Sequence, residues 1–94
     1  MERLRRLEKR AALQILLFLY NNGESKWYEI RDGVKASDST ISSSLIELGK
    51  LKLITERREP PQIRYIRLTE AGRRIAEKLS EINEILNQIN LNNP

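Results

Sequence analysis

The chain changes its hydrophobic periodicity twice, and these changes limit most strongly what it can fold into. Up to Leu51, apolar residues recur every three or four positions, as on one face of a helix. The stretches LITERRE and IRYIRL then mix β-branched and charged residues in partial alternation, and Pro60-Pro61-Gln62 separates them. Helical spacing returns after Thr69. This order predicts an α+β, mostly helical fold with one β-hairpin before a final helix.

Three helices are predicted before the hairpin. The first covers residues 2–20 and ends at Asn21-Asn22-Gly23, because Asn and Gly tolerate the left-handed conformation at a helix end. The second covers residues 25–32, with Ser25 as its N-cap and Gly33 at its end. The third covers residues 38–50 and is capped by Ser37 or Asp38. Its predicted buried stripe consists of Ile41, Leu45 and Leu48.

The hairpin is predicted over residues 53–68 and the last helix over residues 69–91, with Thr69 as its cap. Apolar residues in that helix step by four and three in alternation, which is the interval of a coiled-coil seam. A domain this small cannot easily cover such a seam, so we expect a homodimer. The expected dimer contacts are Leu4, Leu7, Ile75, Leu79, Ile82, Leu86 and Ile89.

Length and composition exclude several classes of function. The 94 residues allow one domain, residues 1–94, and the net charge of +4 favours anionic partners. The chain has no cysteine and no histidine, which removes disulfides, thiol nucleophiles, imidazole bases and the usual zinc sites. No phosphate-binding loop is present. We therefore expect no enzyme, no cofactor and no metal.

The longest apolar run, LQILLFLY at residues 13–20, is shorter than the roughly 20 residues that a membrane helix needs. The basic stretch before it does not resemble a secretory leader. The sequence thus predicts a soluble, cytoplasmic protein that has no membrane contact.

Three stretches resemble landmarks of winged helix-turn-helix proteins. STISSSLIELGKLKLI, residues 39–54, resembles a recognition helix and the strand that opens the wing. IRYIRLTEAGRR, residues 63–74, resembles the junction of wing and C-terminal helix in regulators of the MarR and PadR type. YEIRDGV, residues 28–34, is similar to the helix before the recognition helix. In two departures, the family often has glycine near Lys52 and usually a long polar side chain among the positions of Ser42, Ser43 and Ser44.

This resemblance implies a winged helix-turn-helix with a two-stranded wing and a long C-terminal dimerisation helix. It also implies a dimeric transcription regulator that binds double-stranded DNA, with two recognition helices about 34 Å apart on an inverted repeat. No appended domain for an effector is present, so we expect no small-molecule ligand.

The serine-rich helix at residues 38–50 is the expected DNA-reading element. An α-helix turns by about 100° per residue, so the side opposite the buried stripe carries Ser39, Ser43, Ile46 and Lys50. Short hydroxyls there can bond base edges and phosphates while the backbone approaches closely. Solubility alone would also explain the serines. The expected DNA contacts are Lys35, Ser37, Ser39, Thr40, Ser42, Ser43, Lys50, Arg57, Arg58, Gln62 and Arg64.

Two alternative functions stay open from the sequence. One is a non-specific architectural DNA-binding protein, and the other is a winged-helix adaptor that binds another polypeptide through its C-terminal helix. The stretch RLRRLEKR, residues 3–10, fits either DNA backbone contact or a solvated helix face. The spacing of Trp27 with Ile30 and Val34 favours core packing over stacking on a base.

Overall fold

Five helices and a small sheet form the part of the chain that the structure, a computed structural model, describes, namely residues 2–8 and 11–92. The elements in chain order are α1 (Glu2–Leu7), α2 (Ala12–Asn22), β1 (Ser25–Lys26), α3 (Trp27–Val34), α4 (Asp38–Lys50), β2 (Ile54–Glu59), β3 (Ile63–Leu68) and α5 (Glu70–Asn92).

The single N-terminal helix expected over residues 2–20 is wrong, because the structure divides this segment into α1 and α2. Ala11, which precedes α2, has a φ of 75° in the left-handed region. A helix cannot pass through that conformation without interruption. At the other end of α2, the N–H of Gly23 donates to the Leu19 carbonyl.

The second predicted helix differs from the structure at both ends. Ser25 does not cap it; Ser25 and Lys26 form β1, and the backbone N–H of Lys26 donates to the Glu29 carboxylate at 2.7 Å. Gly33 does not end α3 but lies inside it, and a Cβ at Gly33 would lie 2.2 Å from the Phe18 ring. The helix continues to Val34 and is capped by Lys35, which has a φ of 61°, while Gly33 lets the Phe18 ring lie close to the α3 backbone.

The hairpin of β2 and β3 belongs to a three-stranded antiparallel sheet with the order β1-β3-β2. Ser25 pairs with Ile66, and Ile54 pairs with Leu68 at the base of the hairpin. Two residues are too few to show strand alternation, so β1 left no signal in the sequence.

Helix α2 lies at the centre of the core. Its buried residues pack with the stripe of α4, with the inner face of the sheet and with the first turns of α5. The buried apolar side chains are Ala12, Ile15, Leu16, Leu19, Ile30, Ile41, Leu45, Leu48, Leu53, Ile54, Ile66 and Ala76. The second half of α5 extends beyond this core, and the molecule is therefore elongated, with extents of 51, 29 and 24 Å.

A tight junction joins the end of α4 to the start of α5. The Thr69 hydroxyl donates to the Lys52 carbonyl at 2.8 Å and accepts the Gly72 N–H at 3.0 Å, so it caps α5. The Thr69 N–H donates to the Leu53 carbonyl at 2.9 Å. Lys52 has a φ of 61°, in the left-handed region that glycine adopts at less cost than other residues. Within residues 2–8 and 11–92, none of the helices has the length and apolar content needed to cross a bilayer.

Candidate nucleic-acid interface

The outward face of α4 presents small hydroxyls, one large apolar side chain and one cation. Ser39, Ile46 and Lys50 are exposed, and Ser43 is half-buried between them. The stripe of Ile41, Leu45 and Leu48 is buried on the opposite side. This arrangement follows from the 3.6-residue period, which places positions 39, 43, 46 and 50 on one side of the helix.

Part of the serine content serves the start of α4. The Ser37 side chain accepts the Thr40 backbone N–H at 3.2 Å and donates to the Thr40 hydroxyl at 2.8 Å. The hydroxyls of Ser37 and Ser39 are 3.3 Å apart. Because a helix leaves its first N–H groups without intrahelical partners, this cap stabilises the helix by about 1 kcal/mol. Ser42 is half-buried, and Ser44 is fully buried in the core.

Three exposed lysines lie near the two ends of α4: Lys35 precedes the helix, Lys50 is its last residue and Lys52 follows it. None of them forms an ion pair with any residue in the described ranges 2–8 and 11–92. Lys35 and Lys52 both have a φ of 61° and follow the ends of α3 and α4, respectively. Their charges are therefore available to an external anion.

The arginines of the wing, by contrast, are paired with glutamates. Arg64 makes a two-pronged contact with the Glu56 carboxylate, with N–O distances of 2.7 and 3.0 Å. The Nε of Arg58 lies 3.6 Å from the same carboxylate. Arg57 pairs with Glu59 and, at 3.0 Å, with Glu24. The positive charge that the wing offers is thus smaller than its arginine count suggests.

These pairs lie on opposite faces of the hairpin. Arg58 is opposite Arg64 in the strand register, on the face that also carries Ile54 and Ile66. Arg57 is opposite Tyr65 on the other face, with its guanidinium 4.3 Å from the ring centroid. Alternation along a strand produces this separation.

The ion pairs of the wing shift the pKa values of their members. The hydrogen bond from Arg64 is the main reason that the pKa of Glu56 lies below its ordinary value. The same bond raises the pKa of Arg64, and the bonds to Glu24 and Glu59 raise the pKa of Arg57. A lowered carboxyl pKa means that the pair contributes fully above the ordinary pKa of glutamate and is lost only as the pH falls through the lowered value. The Glu56 pair therefore stays charged at neutral pH.

Trp27 connects α3 with the wing. The guanidinium groups of Arg31 and Arg64 lie 5.6 and 5.8 Å from its ring, within the range of cation–π attraction. Arg31 also lies 3.7 Å from the Asp38 carboxylate in the first turn of α4. The ring is partly buried against the core, so the indole packs between α3 and the wing, while Arg31 connects α3 with α4. Gln62 is exposed at the hairpin tip.

The residues predicted for a dimer contact divide into two groups. Leu7, Ile75 and Leu79 are half-buried and line a groove between α1 and α5, where they pack against the core of their own domain. Ile82, Leu86 and Ile89 are 51–54% exposed along the second half of α5. The structure does not describe the side chain of Leu4. The same holds for the charged side chains of Arg3, Lys9 and Arg10 in the stretch of residues 3–10. Ile85, which the sequence analysis omitted, is 56% exposed on the same stripe.

Comparison with known proteins decides the family. Residues 6–93 match the HxlR-like helix-turn-helix family. The chain belongs to this family. The match covers nearly the whole chain and confirms the resemblance to winged helix-turn-helix regulators, and the family is one of regulators rather than of enzymes. No match was found among curated protein sequences.

Several solved structures have the same winged-helix fold. A SlyA-like transcription regulator from Listeria monocytogenes has a TM-score of 0.81 and 20% identity, over 89% of this chain and 57% of its own. The PcaV transcriptional regulator from Streptomyces coelicolor, solved with its natural ligand, has a TM-score of 0.77 and 24% identity, over 87% and 60%. Streptococcus pneumoniae FabT, solved in complex with DNA, has a TM-score of 0.75 and 13% identity, over 90% and 61%.

The HxlR-like chain spans 57–61% of the length of these three proteins. The ligand in PcaV means that the expected lack of a small-molecule ligand gains no support from the comparisons.

Three features of the site escaped the sequence analysis. Lys52 is not among the DNA contacts expected from the sequence, although it lies close after the predicted helix end and has no ion pair in the described part of the chain. Ile46 was placed on the outward face without a role. The pairing of Arg57 with Glu24 had no local signal, because the two residues are 33 positions apart in the chain.

Proposed function

We propose that this HxlR-like protein is a dimeric transcription regulator that binds double-stranded DNA through α4 and the wing. The observation that carries the proposal is an outward face of α4 with small side chains between lysines that form no ion pair within residues 2–8 and 11–92. Such a helix fits the major groove, where its hydroxyls reach base edges, and the flanking cations reach phosphates. FabT, which has the same fold, was solved in complex with DNA.

The proposed contacts fall into two classes. Ser39, Ser42 and Ser43 face base edges. Ser37 and Thr40 form the cap of α4 and contact the phosphate nearest to it. Lys35, Lys50 and Lys52 bind phosphates, and the wing places Arg57, Arg58, Gln62 and Arg64 on the backbone or in the minor groove. Phosphate contacts determine position, whereas base contacts determine preference among sequences.

The dimer in this proposal forms through the exposed stripe of α5, which consists of Ile82, Ile85, Leu86 and Ile89. These four side chains lie beyond the core of their own domain, so a second copy of the helix is the natural cover for them. Two copies of α4 would then address successive major grooves about one duplex turn, roughly 34 Å, apart.

The test is a salt titration of binding to two duplexes, one enriched from a random pool by the protein and one of random sequence. We expect the logarithm of the association constant to fall by about 0.9 per logarithmic unit of salt for each phosphate contact. Replacing Lys35, Lys50 or Lys52 with alanine should each reduce this slope by about 1. Equal affinity for both duplexes would favour an architectural protein. No salt-sensitive complex at all would favour the adaptor.

Glu56 is expected to restrain DNA binding by the wing. Glu56→Gln removes the carboxylate that Arg58 and Arg64 share, so both guanidinium groups become available to phosphates. We expect tighter binding to random duplex and a salt slope that is steeper by about 1 to 2. The measurement is the same titration by fluorescence anisotropy.

The matched control for this variant is Glu84→Gln, which removes an equal charge from an exposed position of α5, away from the stripe. Net charge alone would make the two variants behave alike. If the Glu56 variant gains no more affinity than the control, Arg58 and Arg64 do not contact phosphate.

A further inference from the structure

Ile46 is the most exposed of the large hydrophobic side chains in the described part of the chain, at 59%. Four of the others, Ile82, Ile85, Leu86 and Ile89, form the stripe of α5. Ile46 stands apart from them, in the middle of the outward face of α4, with Ser43 before it and Lys50 after it. Its position therefore requires an explanation other than the dimer.

Neither folding nor solubility accounts for an isoleucine at this position. An exposed side chain gains little hydrophobic stabilisation, and a β-branched residue forms helix less readily than Ala, Glu or Lys. The neighbouring outward positions are serines and a lysine, so no apolar patch continues from Ile46 across this face. An apolar contact that forms only in a complex would bury this side chain and provide the hydrophobic stabilisation that it lacks in the free protein.

The surroundings of Ile46 indicate which complex this is. Hydroxyls lie on the N-terminal side of Ile46, and Lys50 and Lys52 follow it without an ion pair among the described residues. A surface of this charge suits a polyanion better than an apolar protein surface. In the major groove of DNA, the C5-methyl group of thymine is the apolar group on a base edge. Isoleucine reaches further from the helix than serine does, so it can touch this methyl while the serines lie nearer to the axis.

We propose that Ile46 is a specificity-determining residue that packs against the thymine C5-methyl group in each half-site. This inference rests on the proposed DNA-binding function and adds the base that α4 prefers. Hydroxyls alone accept several bases, because each both donates and accepts a hydrogen bond. The thymine methyl contact would provide a preference that the short side chains do not.

The test replaces thymine with uracil, which removes only the methyl group. Thymines of a duplex enriched from a random pool are exchanged one at a time, and alternating A–T and A–U duplexes provide a second comparison. We expect one position per half-site at which uracil weakens binding about fourfold, the effect of about 0.8 kcal/mol for one buried methylene-sized group. Exchange at both half-sites should weaken binding about sixteenfold if the two contacts are independent.

Ile46→Ala completes a double-mutant cycle with the uracil exchange. We expect this variant to bind the thymine duplex more weakly and to lose the difference between thymine and uracil, whereas Ile46→Val should keep part of it. Leu13→Ala is the control, since Leu13 is 38% exposed on α2, far along the chain from α4. It should retain the full difference. Thermal unfolding of each variant verifies that all of them fold.

The outcomes separate this inference from the function on which it rests. Salt-sensitive binding with no uracil effect at any position would overturn the role of Ile46 and leave the DNA-binding proposal intact. The same holds for a uracil effect that persists unchanged in Ile46→Ala, because the effect would then come from the shape of the duplex. Absence of any DNA complex would overturn both.

Discussion

Replacing Gly72 with alanine is expected to lower the free energy of unfolding by about 3 kcal/mol, within the upper range for forced overpacking. Gly72 lies in the first turn of α5, directly against the backbone of Leu53. A Cβ at this position would lie 1.9 Å from the Leu53 carbonyl oxygen and 2.9 Å from its carbonyl carbon. Backbone cannot rotate away as a side chain can, so α5 and the turn after α4 would have to separate.

Separation at this junction would also weaken the hydrogen bonds that join the two segments. The Leu53 carbonyl accepts the Thr69 N–H, and the Thr69 hydroxyl binds Lys52 and Gly72. For a domain of this size, about 3 kcal/mol corresponds to a decrease in Tm of about 12–24 °C. Differential scanning calorimetry at a fixed protein concentration measures this decrease in Tm.

The matched control is Gly49→Ala, a second glycine inside a helix. Apart from its chain neighbours and the backbone of its own helix, no atom of the described residues lies within 4 Å of the position that its Cβ would take. Alanine there should raise the free energy of unfolding by about 0.5–1 kcal/mol, because it forms helix better than glycine. Opposite signs for the two variants would isolate the clash from helix propensity. A Gly72 variant as stable as the parent would show that the junction can open without cost.

Two carboxylates on the exposed stripe of α5 are expected to abolish the proposed dimer. In the double variant Ile82→Asp/Leu86→Asp, each chain would bring two charges into an apolar contact, next to the same charges of its partner. An uncompensated buried charge costs about 3–5 kcal/mol. One such charge is enough to increase the dimer dissociation constant more than about a hundredfold. Sedimentation equilibrium at micromolar concentration should then find a monomer.

Loss of the dimer should weaken DNA binding in the same variant. Two linked recognition helices bind as one unit, and separation of such units typically costs about 100- to 10,000-fold in affinity. The control is Asn87→Asp, which adds a charge to the same helix on the side away from the stripe. It should leave both the mass and the affinity unchanged. A parent protein that is already monomeric, or a double variant that remains dimeric, would contradict the proposed interface.

The fold illustrates which features a local pattern can predict. The stripe of Ile41, Leu45 and Leu48 in α4 and the cap by Ser37 depend on residues within one or two helical turns, so the sequence predicts them. The outward position of Ser39 and Ser43 follows from the same geometry. The hairpin and its register depend on alternation and on a short connection, which are also local.

The features that the sequence analysis missed depend on distant partners. Strand β1 exists because Ser25 and Lys26 meet β3 about forty positions later in the chain. Gly33 lies inside α3, against the ring of Phe18 in α2, and this contact joins residues 15 positions apart. For the interruption at Ala11 the structure shows the left-handed conformation, and no local sequence signal distinguishes this alanine from a helical one.

The sequence by itself therefore determined the kinds of element, their order, the inward and outward faces of α4 and the family to which the chain belongs. Only the tertiary structure decided which cations are free and which apolar residues of α5 remain uncovered. The physical reason is that charge pairing and burial are properties of neighbours in space. Arg57 and Arg64 are bound to glutamates, while Lys35, Lys50 and Lys52 are unpaired among the described residues, yet all five are equally basic when read along the chain.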